Sequence, residues 1–252
     1  MDQILLARLM DIGEKMLVAG AEVNRVEDTL SRMAKAYDVS RVDVFTITSS
    51  IVVTVIANDG VPMTQTRRIL AYQTDLDKLS GLNELARTIA QNKPDASYIE
   101  QEMNRLEQKA KYPAWTQFVI YGGIAAVFTL FFGGTAQDAL ASGLLGMVLK
   151  WLVRLFQGLE NNAVIIHVVC PFLVGLLAVG MIRWGLGENL EWILIGNIML
   201  LIPGVSLTNS IRDIISGDTM AGLLRMSEAI LISLSIAIGF GLASLVLGGI
   251  IL

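Results

Sequence analysis

Two residue types that carry much of protein chemistry are almost missing from this chain of 252 residues. Cys170 is the single cysteine and lies in a hydrophobic run, so the chain can form no intrachain disulfide and no cysteine-based metal site. His167 is the single histidine, which excludes a multi-histidine metal site within one chain. A glycine-rich phosphate cradle and a Walker lysine are also missing, and neither a metal nor a cofactor is expected. There is no basic excess: 19 Lys and Arg stand against 23 Asp and Glu, which argues against nucleic acid as a partner. The opening MDQILLARLMDIGEKM has no basic stretch followed by a long apolar core. It is therefore not read as a signal peptide, and the residues after it are expected to stay in the cytosol.

Charge is scarce in one part of the chain. Residues 1–113 hold 14 of the Lys and Arg and 16 of the acids, and residues 114–252 hold the remaining 5 and 7. With 54% hydrophobic residues and a mean hydropathy of +0.60, the chain is too apolar for an ordinary soluble domain. The expectation is a cytosolic α+β domain over 1–113, then an all-α bundle of five transmembrane helices over 114–252. A span needs about 20 mostly apolar residues. The windows fall at 115–135, 139–159, 163–182, 192–211 and 229–250. The second contains Lys150 and Arg154, four apart on one face and near one end, where long basic side chains snorkel. It either spans fully or lies partly along the interface.

Basic residues in short loops set the topology. With the N-terminal domain cytosolic, Lys150, Arg154, Arg212 and Arg225 fall on the cytosolic side, only Arg183 falls outside, and the C-terminus lies outside. Trp115, Trp151, Trp184 and Trp192 sit near predicted helix ends. The pairs Ser142 with Gly146 and Gly239 with Ala243 have helix-packing spacing, against this chain or another subunit. Gln117 and Asn197 are read as interhelical hydrogen-bonding residues. His167 is read as an interfacial histidine or a proton relay.

In the first 113 residues, apolar positions recur at helical spacing over 4–18 and about 22–37, with Gly20 as a C-cap. A Val-, Ile- and Thr-rich stretch predicts strands at 42–48, 51–57 and 62–69, the last two joined by the turn Asn58-Asp59-Gly60. Two helices follow, the first capped by Asp75 and the second by a Ser97–Glu100 capping box. The carboxylates Glu22, Glu27 and Asp28 beside Arg25 form either a solvated face or a site for a polar ligand. Arg67 and Arg68 either bind an anion or simply line an edge strand.

The stretch LIPGVSLTNSIRDIISGD, residues 201–218, breaks a greasy run at Pro203 and Gly204 and then supplies Ser206, Thr208, Asn209, Arg212, Asp213 and Asp218. Proline removes a helix N–H and clashes with the preceding turn. A break with polar side chains either builds a transporter substrate site or marks a cytosolic helix end. Arg225 and Glu228, three apart, are either an interfacial pair or part of a vestibule.

The segments AGAEVNRVEDTLSRMAKAYDV (19–39), TQTRRI (64–69) and IPGVSLTNSIRDIISGDTMAGLLR (202–225) together resemble the threonine/serine exporter (ThrE) family, in particular the YjjP-like large subunit of its split form. The resemblance covers essentially the whole chain. It implies export of a small polar metabolite, threonine/serine or a dicarboxylate such as succinate, driven by the proton motive force across the bacterial inner membrane. It also implies a smaller membrane partner, because five spans cannot form two equal inverted repeats. A higher oligomer is possible. On this reading Pro203 and Gly204 form the pivot and Ser206 and Asn209 bind substrate. Asp213 is a proton-coupled or structural carboxylate paired with Arg212 or Arg225, and Glu228 lies nearby. The alternatives are a metabolite sensor that gates a partner, or a membrane-anchored hydrolase-like domain.

Overall fold

The computed structural model describes residues 1–70, 72–109, 112–158 and 162–251, with side chains described through 246. In chain order the elements are α1 (Gln3–Val18), α2 (Val23–Ala36), β1 (Arg41–Ile47), β2 (Ser50–Ile56), β3 (Pro62–Arg68), α3 (Leu76–Asn92) and α4 (Ala96–Glu107). Then follow α5 (Ala114–Phe131), α6 (Ala136–Gln157), α7 (Ala163–Arg183), α8 (Leu190–Ile198), α9 (Gly204–Ile215) and α10 (Thr219–Ile251). The chain divides into two compact units. One is Met1–Ala110 with Gly204–Ser227, the other Lys111–Pro203 with Glu228–Leu252. A segment distant in sequence is therefore built into the N-terminal unit.

In that unit the strands form an antiparallel sheet in the order β1-β2-β3, with Val44 opposite Val53 and Val53 opposite Gln65. Alternation sends Val42, Val44 and Thr46 of β1 and Ile51, Val53 and Val55 of β2 to one face. That face packs on α1 and α2. Leu9, Met10, Ile12, Met16, Leu30 and Met33 fill the core, each fully buried and contributing about 1.5–3 kcal/mol. Ala221, from α10, belongs to the same core. Asp75 caps α3 through Lys78 N–H. Helix α4 is capped by Asp95 rather than by Ser97: Asp95 accepts from Tyr98 N–H at 3.0 Å, and the Ser97 hydroxyl bonds to Asp95 instead. Asp95 lies one residue before the helix, where its carboxylate can reach those N–H groups.

The second unit is a helix bundle. Four helices are long and apolar enough to cross a membrane: Ala114–Phe131, Ala136–Gln157, Ala163–Arg183 and Thr219–Val246. The window 192–211 is not a fifth continuous helix. Helix α8 ends at Ile198, residues 199–203 turn, and α9 starts at Gly204. Pro203 cannot donate to the ladder, so the break falls at the proline. The second window starts earlier than expected, at Ala136, and its expected last residue, Leu159, lies outside the described residues. The last helix begins ten residues before the expected 229.

Small residues set the packing in the bundle. A Cβ on Gly146 would sit 2.8 Å from the Tyr121 carbonyl, and one on Gly122 would sit 2.8 Å from the Gly143 carbonyl, so α5 and α6 touch backbone to backbone. Likewise a Cβ on Gly239 would run into the Val168 carbonyl, so α10 meets α7 there, and Ala243 fills the space beside Gly175. The buried Asn197 donates to the Ser142 hydroxyl at 3.1 Å, the expected interhelical bond. Gln117 instead donates to the Tyr112 carbonyl just before its own helix.

Helix α6 opens on a capping box of Thr135 and Asp138. The Asp138 carboxylate is fully buried and also accepts the N–H groups of Glu188 (2.7 Å) and Asn189 (2.9 Å) and the Asn189 amide (3.1 Å). One carboxylate thus caps α6 and holds the loop before α8. Replacing it by Ala strands several buried donors. Asp138→Ala is expected to destabilise by about 3 kcal/mol, read as a lowered melting temperature in detergent. Unchanged melting would show that this carboxylate is not a structural tie.

Candidate functional site

Helix α1 ends in a Schellman motif. Gly20 takes a φ of +96°, its N–H bonds to the Leu17 carbonyl at 3.1 Å, and Ala21 N–H bonds to the Met16 carbonyl at 3.0 Å. Gly20, Ala21 and Glu22 then lead directly into α2. The Glu22 side chain makes no cap bond to its own helix. The turn therefore presents exposed carbonyls and an unfilled helix N-terminus.

Residues almost two hundred positions away complete it. Asp213 Oδ1 accepts from Val23 N–H at 3.1 Å and so caps α2 from another helix. Arg225 donates one nitrogen to Asp213 Oδ2 at 3.1 Å and the other to the Ala21 carbonyl at 3.0 Å. Asn209 donates to the Gly20 carbonyl at 2.9 Å. At the rim, Arg212 bonds to Glu22. Asp213 is 0% and Arg225 7% exposed, so their bond is shielded, whereas the Arg212–Glu22 pair is partly solvated and worth at most about 1 kcal/mol.

The α9–α10 hairpin holds these groups in place. Helix α9 ends in a second Schellman motif: Gly217 has a φ of +99°, and Asp218 N–H bonds to the Asp213 carbonyl at 2.9 Å. A Cβ on Gly222 would lie 2.7 Å from the Ser210 carbonyl, so α10 runs against α9 with backbones in contact and Arg225 reaches Asp213. Burial raises the Asp213 pKa, opposed by the Arg225 guanidinium and the Val23 N–H.

The expected site residues are only partly brought together. Asn209, Asp213, Arg225 and Glu22 converge on the α1–α2 turn. Pro203 ends the turn before α9, Gly204 opens α9 with free space around it, and Ser206 is half-buried one turn on. Glu228 is exposed and pairs with no base among the described residues, because Arg225 is committed to Asp213. Arg212 pairs with Glu22, not with its neighbour Asp213. Arg67 is held by Asp11 at 2.9 Å, by Glu14 and by the Ala7 carbonyl, while Arg68 and Arg25 are exposed. Glu27 accepts from Thr46 N–H at 2.6 Å, and its pKa is raised by burial and by the Asp218 charge against the effect of that N–H. Thr46 escaped the sequence reading, which named Asp218 in the stretch 201–218 but gave it no role. The one signal was a pair of buried threonines, Thr46 on β1 and Thr48 in the turn after it. No described group of three or more His, Cys, Asp or Glu is arranged to hold a metal ion. Helices α3 and α4 flank an open polar groove of about 940 Å³, lined by Asp77, Glu84, Gln101, Arg105 and others.

A bundle of long apolar helices joined to a polar unit is the build of a multi-pass membrane protein. The family model described as "Putative threonine/serine exporter" matches residues 8–247, and the chain belongs to this family of membrane transporters. It is 25% identical over 231 residues to the "Probable threonine/serine exporter" of Mycobacterium tuberculosis, a match covering 90% of this chain and 43% of that protein. The chain thus spans less than half of that relative. It is 22% identical over 234 residues to the "Probable succinate transporter subunit YjjP" of Escherichia coli, covering 92% and 91% of the two chains. The Klebsiella aerogenes protein of the same description is 23% identical, with 90% and 88% covered. No solved structure matches the chain.

Truncating only one partner of the buried pair strands the other. Arg225→Leu is expected to cost about 3–5 kcal/mol, and the double change Asp213→Leu/Arg225→Leu less than the sum of the single changes. Chemical unfolding of the four proteins in detergent measures this. Additive effects would show that the pair is not coupled.

Proposed function

We propose that the chain is a subunit of a proton-motive-force-driven exporter of a small polar metabolite, either threonine/serine or a dicarboxylate such as succinate. It works in the bacterial inner membrane with a smaller membrane partner. Residues 1–113 face the cytosol and the C-terminus lies outside. Support comes from the family match over residues 8–247 and from the descriptions of its relatives, two of which are named subunits. The fifth crossing is proposed to run through α8 and the turn at residues 199–203 to the start of α9, which itself belongs to the N-terminal unit. Broken helices expose backbone ends that bind polar substrates at membrane depth.

The observation that carries the mechanism is the capture of the α1–α2 turn by Asp213, Arg225 and Asn209. These three serve as a latch, and Pro203, Gly204, Ser206 and Glu228 are assigned to the substrate path. The latch is positioned to switch because Asp213 has two alternatives, an ion pair with Arg225 or a proton. The polar α3–α4 groove favours a second reading, in which the N-terminal unit senses a metabolite and gates a partner.

The test is efflux of preloaded labelled threonine and, separately, succinate from cells expressing this chain alone or with the smaller subunit. Efflux of one substrate that needs both proteins is the expected result, and Asp213→Asn is expected to reduce it at least tenfold. No efflux of either substrate, with both proteins in the membrane, would refute the exporter reading. Intact efflux by Asp213→Asn would refute the latch.

A further inference from the structure

We propose that Glu27 and Asp218, closed by the Thr46 hydroxyl, form a proton-binding carboxyl pair separate from the Asp213–Arg225 ion pair. The proposal rests on the proton-driven reading above and names the groups that hold the proton.

Glu27 lies on α2 and reaches β1, where its Oε1 takes the Thr46 N–H at 2.6 Å. Thr46 is 3% exposed, and its hydroxyl faces the same carboxyl, yet its Oγ1 completes no hydrogen bond. Asp218, the residue before α10, is close enough for its charge to act on Glu27. Its Oδ2 is also buried without a partner. Two carboxyls thus lie within electrostatic reach of each other, and two buried oxygens beside them are unpaired. A buried oxygen without a partner favours any state that supplies it with a donor. Neighbouring carboxylates at a shared site relieve their repulsion when one takes up a proton. A single proton on Glu27 removes the repulsion and supplies a donor for an unpaired oxygen.

No cation does the same job. Arg212 is bonded to Glu22, Arg225 is bonded to Asp213 and Ala21, and Arg25 of α2 is exposed. The faces that α1 and α3 turn inward are apolar, β1 contributes Thr46, and the turn after it contributes Thr48. Beyond Asp218, the charged groups at the N-terminal end of α2 are Glu22, Asp213, Arg212 and Arg225. Protonating Asp213 breaks its bond to Arg225, whereas protonating Glu27 breaks no ion pair among the described residues. The raised Glu27 pKa agrees in direction: the folded state holds this proton more tightly than the unfolded chain. The stability it contributes is present below the ordinary glutamate pKa and is lost as pH rises through the raised value.

The test is an infrared pH titration of the full chain in phospholipid vesicles, following the protonated-carboxyl stretch. Wild type is expected to show a band titrating above the ordinary carboxylate range. Glu27→Gln should lose it, and Asp218→Asn should keep it with proton affinity roughly tenfold weaker. A band of undiminished amplitude in Glu27→Gln, or an unmoved midpoint in Asp218→Asn, overturns the proposal. If Glu27→Gln fails to fold, the Asp218→Asn midpoint decides. In the same vesicles, with the partner present, Glu27→Gln should retain threonine or succinate counterflow and lose proton-driven accumulation. Retained accumulation overturns the proposal. Wild type without flux of either substrate overturns the exporter reading alone, and the infrared result still stands.

Discussion

The buried ion pair between Asp213 and Arg225 is the constraint on which the N-terminal unit depends. Neither charge has water to turn to, so each must be satisfied by protein. Asp213 is satisfied by the first N–H of α2 and by Arg225, and Arg225 by Asp213 and the Ala21 carbonyl. These bonds fix the α1–α2 turn to the α9–α10 hairpin and explain why residues 204–227 group with residues 1–110. They also give the two Schellman motifs a purpose. Gly20 ends α1 so that its carbonyls point outward, and Gly217 reverses the chain so that Arg225 can reach them.

The bundle uses a different device. Lipid offers no hydrophobic drive between helices, so contact comes from close backbone approach at Gly122, Gly143, Gly146 and Gly239. Its main buried charge, Asp138, is fully hydrogen-bonded and needs no counter-ion. The polar groups left unsatisfied lie elsewhere: the Thr46 hydroxyl, the Asp218 carboxylate and the Asn197 carbonyl oxygen are buried without partners among the described residues. Two of these three flank Glu27. That contrast separates a carboxylate that serves as a structural tie from a pair of carboxyls that is incomplete without a proton.

Much of this was legible in the residues. The helical stripes of α1 and α2, the three strands and the break at Pro203 follow from local periodicity and proline chemistry, which depend on near neighbours only. Of the three segments that carried the family resemblance, 19–39 and 202–225 prove to touch. Their contact was not legible, because no local rule ties Asp213 to Val23 N–H across such a distance. Arg225 was offered two partners, Glu228 three residues away and Asp213 across the loop, and it takes Asp213. Hydropathy averages over that break and so marked 192–211 as one span, whereas the structure divides it into α8 and α9. Thr46 was hidden because a threonine in a strand looks like an ordinary β-former.

The central claim is that Asp213 caps α2 and, with Arg225, holds the α1–α2 turn. Hydrogen exchange of the full chain in lipid nanodiscs measures it most directly, comparing wild type with Asp213→Asn. The account predicts that peptides covering residues 20–26 exchange faster in the variant while the middle of α1 is unchanged. Equal exchange of residues 20–26 in the two proteins would contradict it.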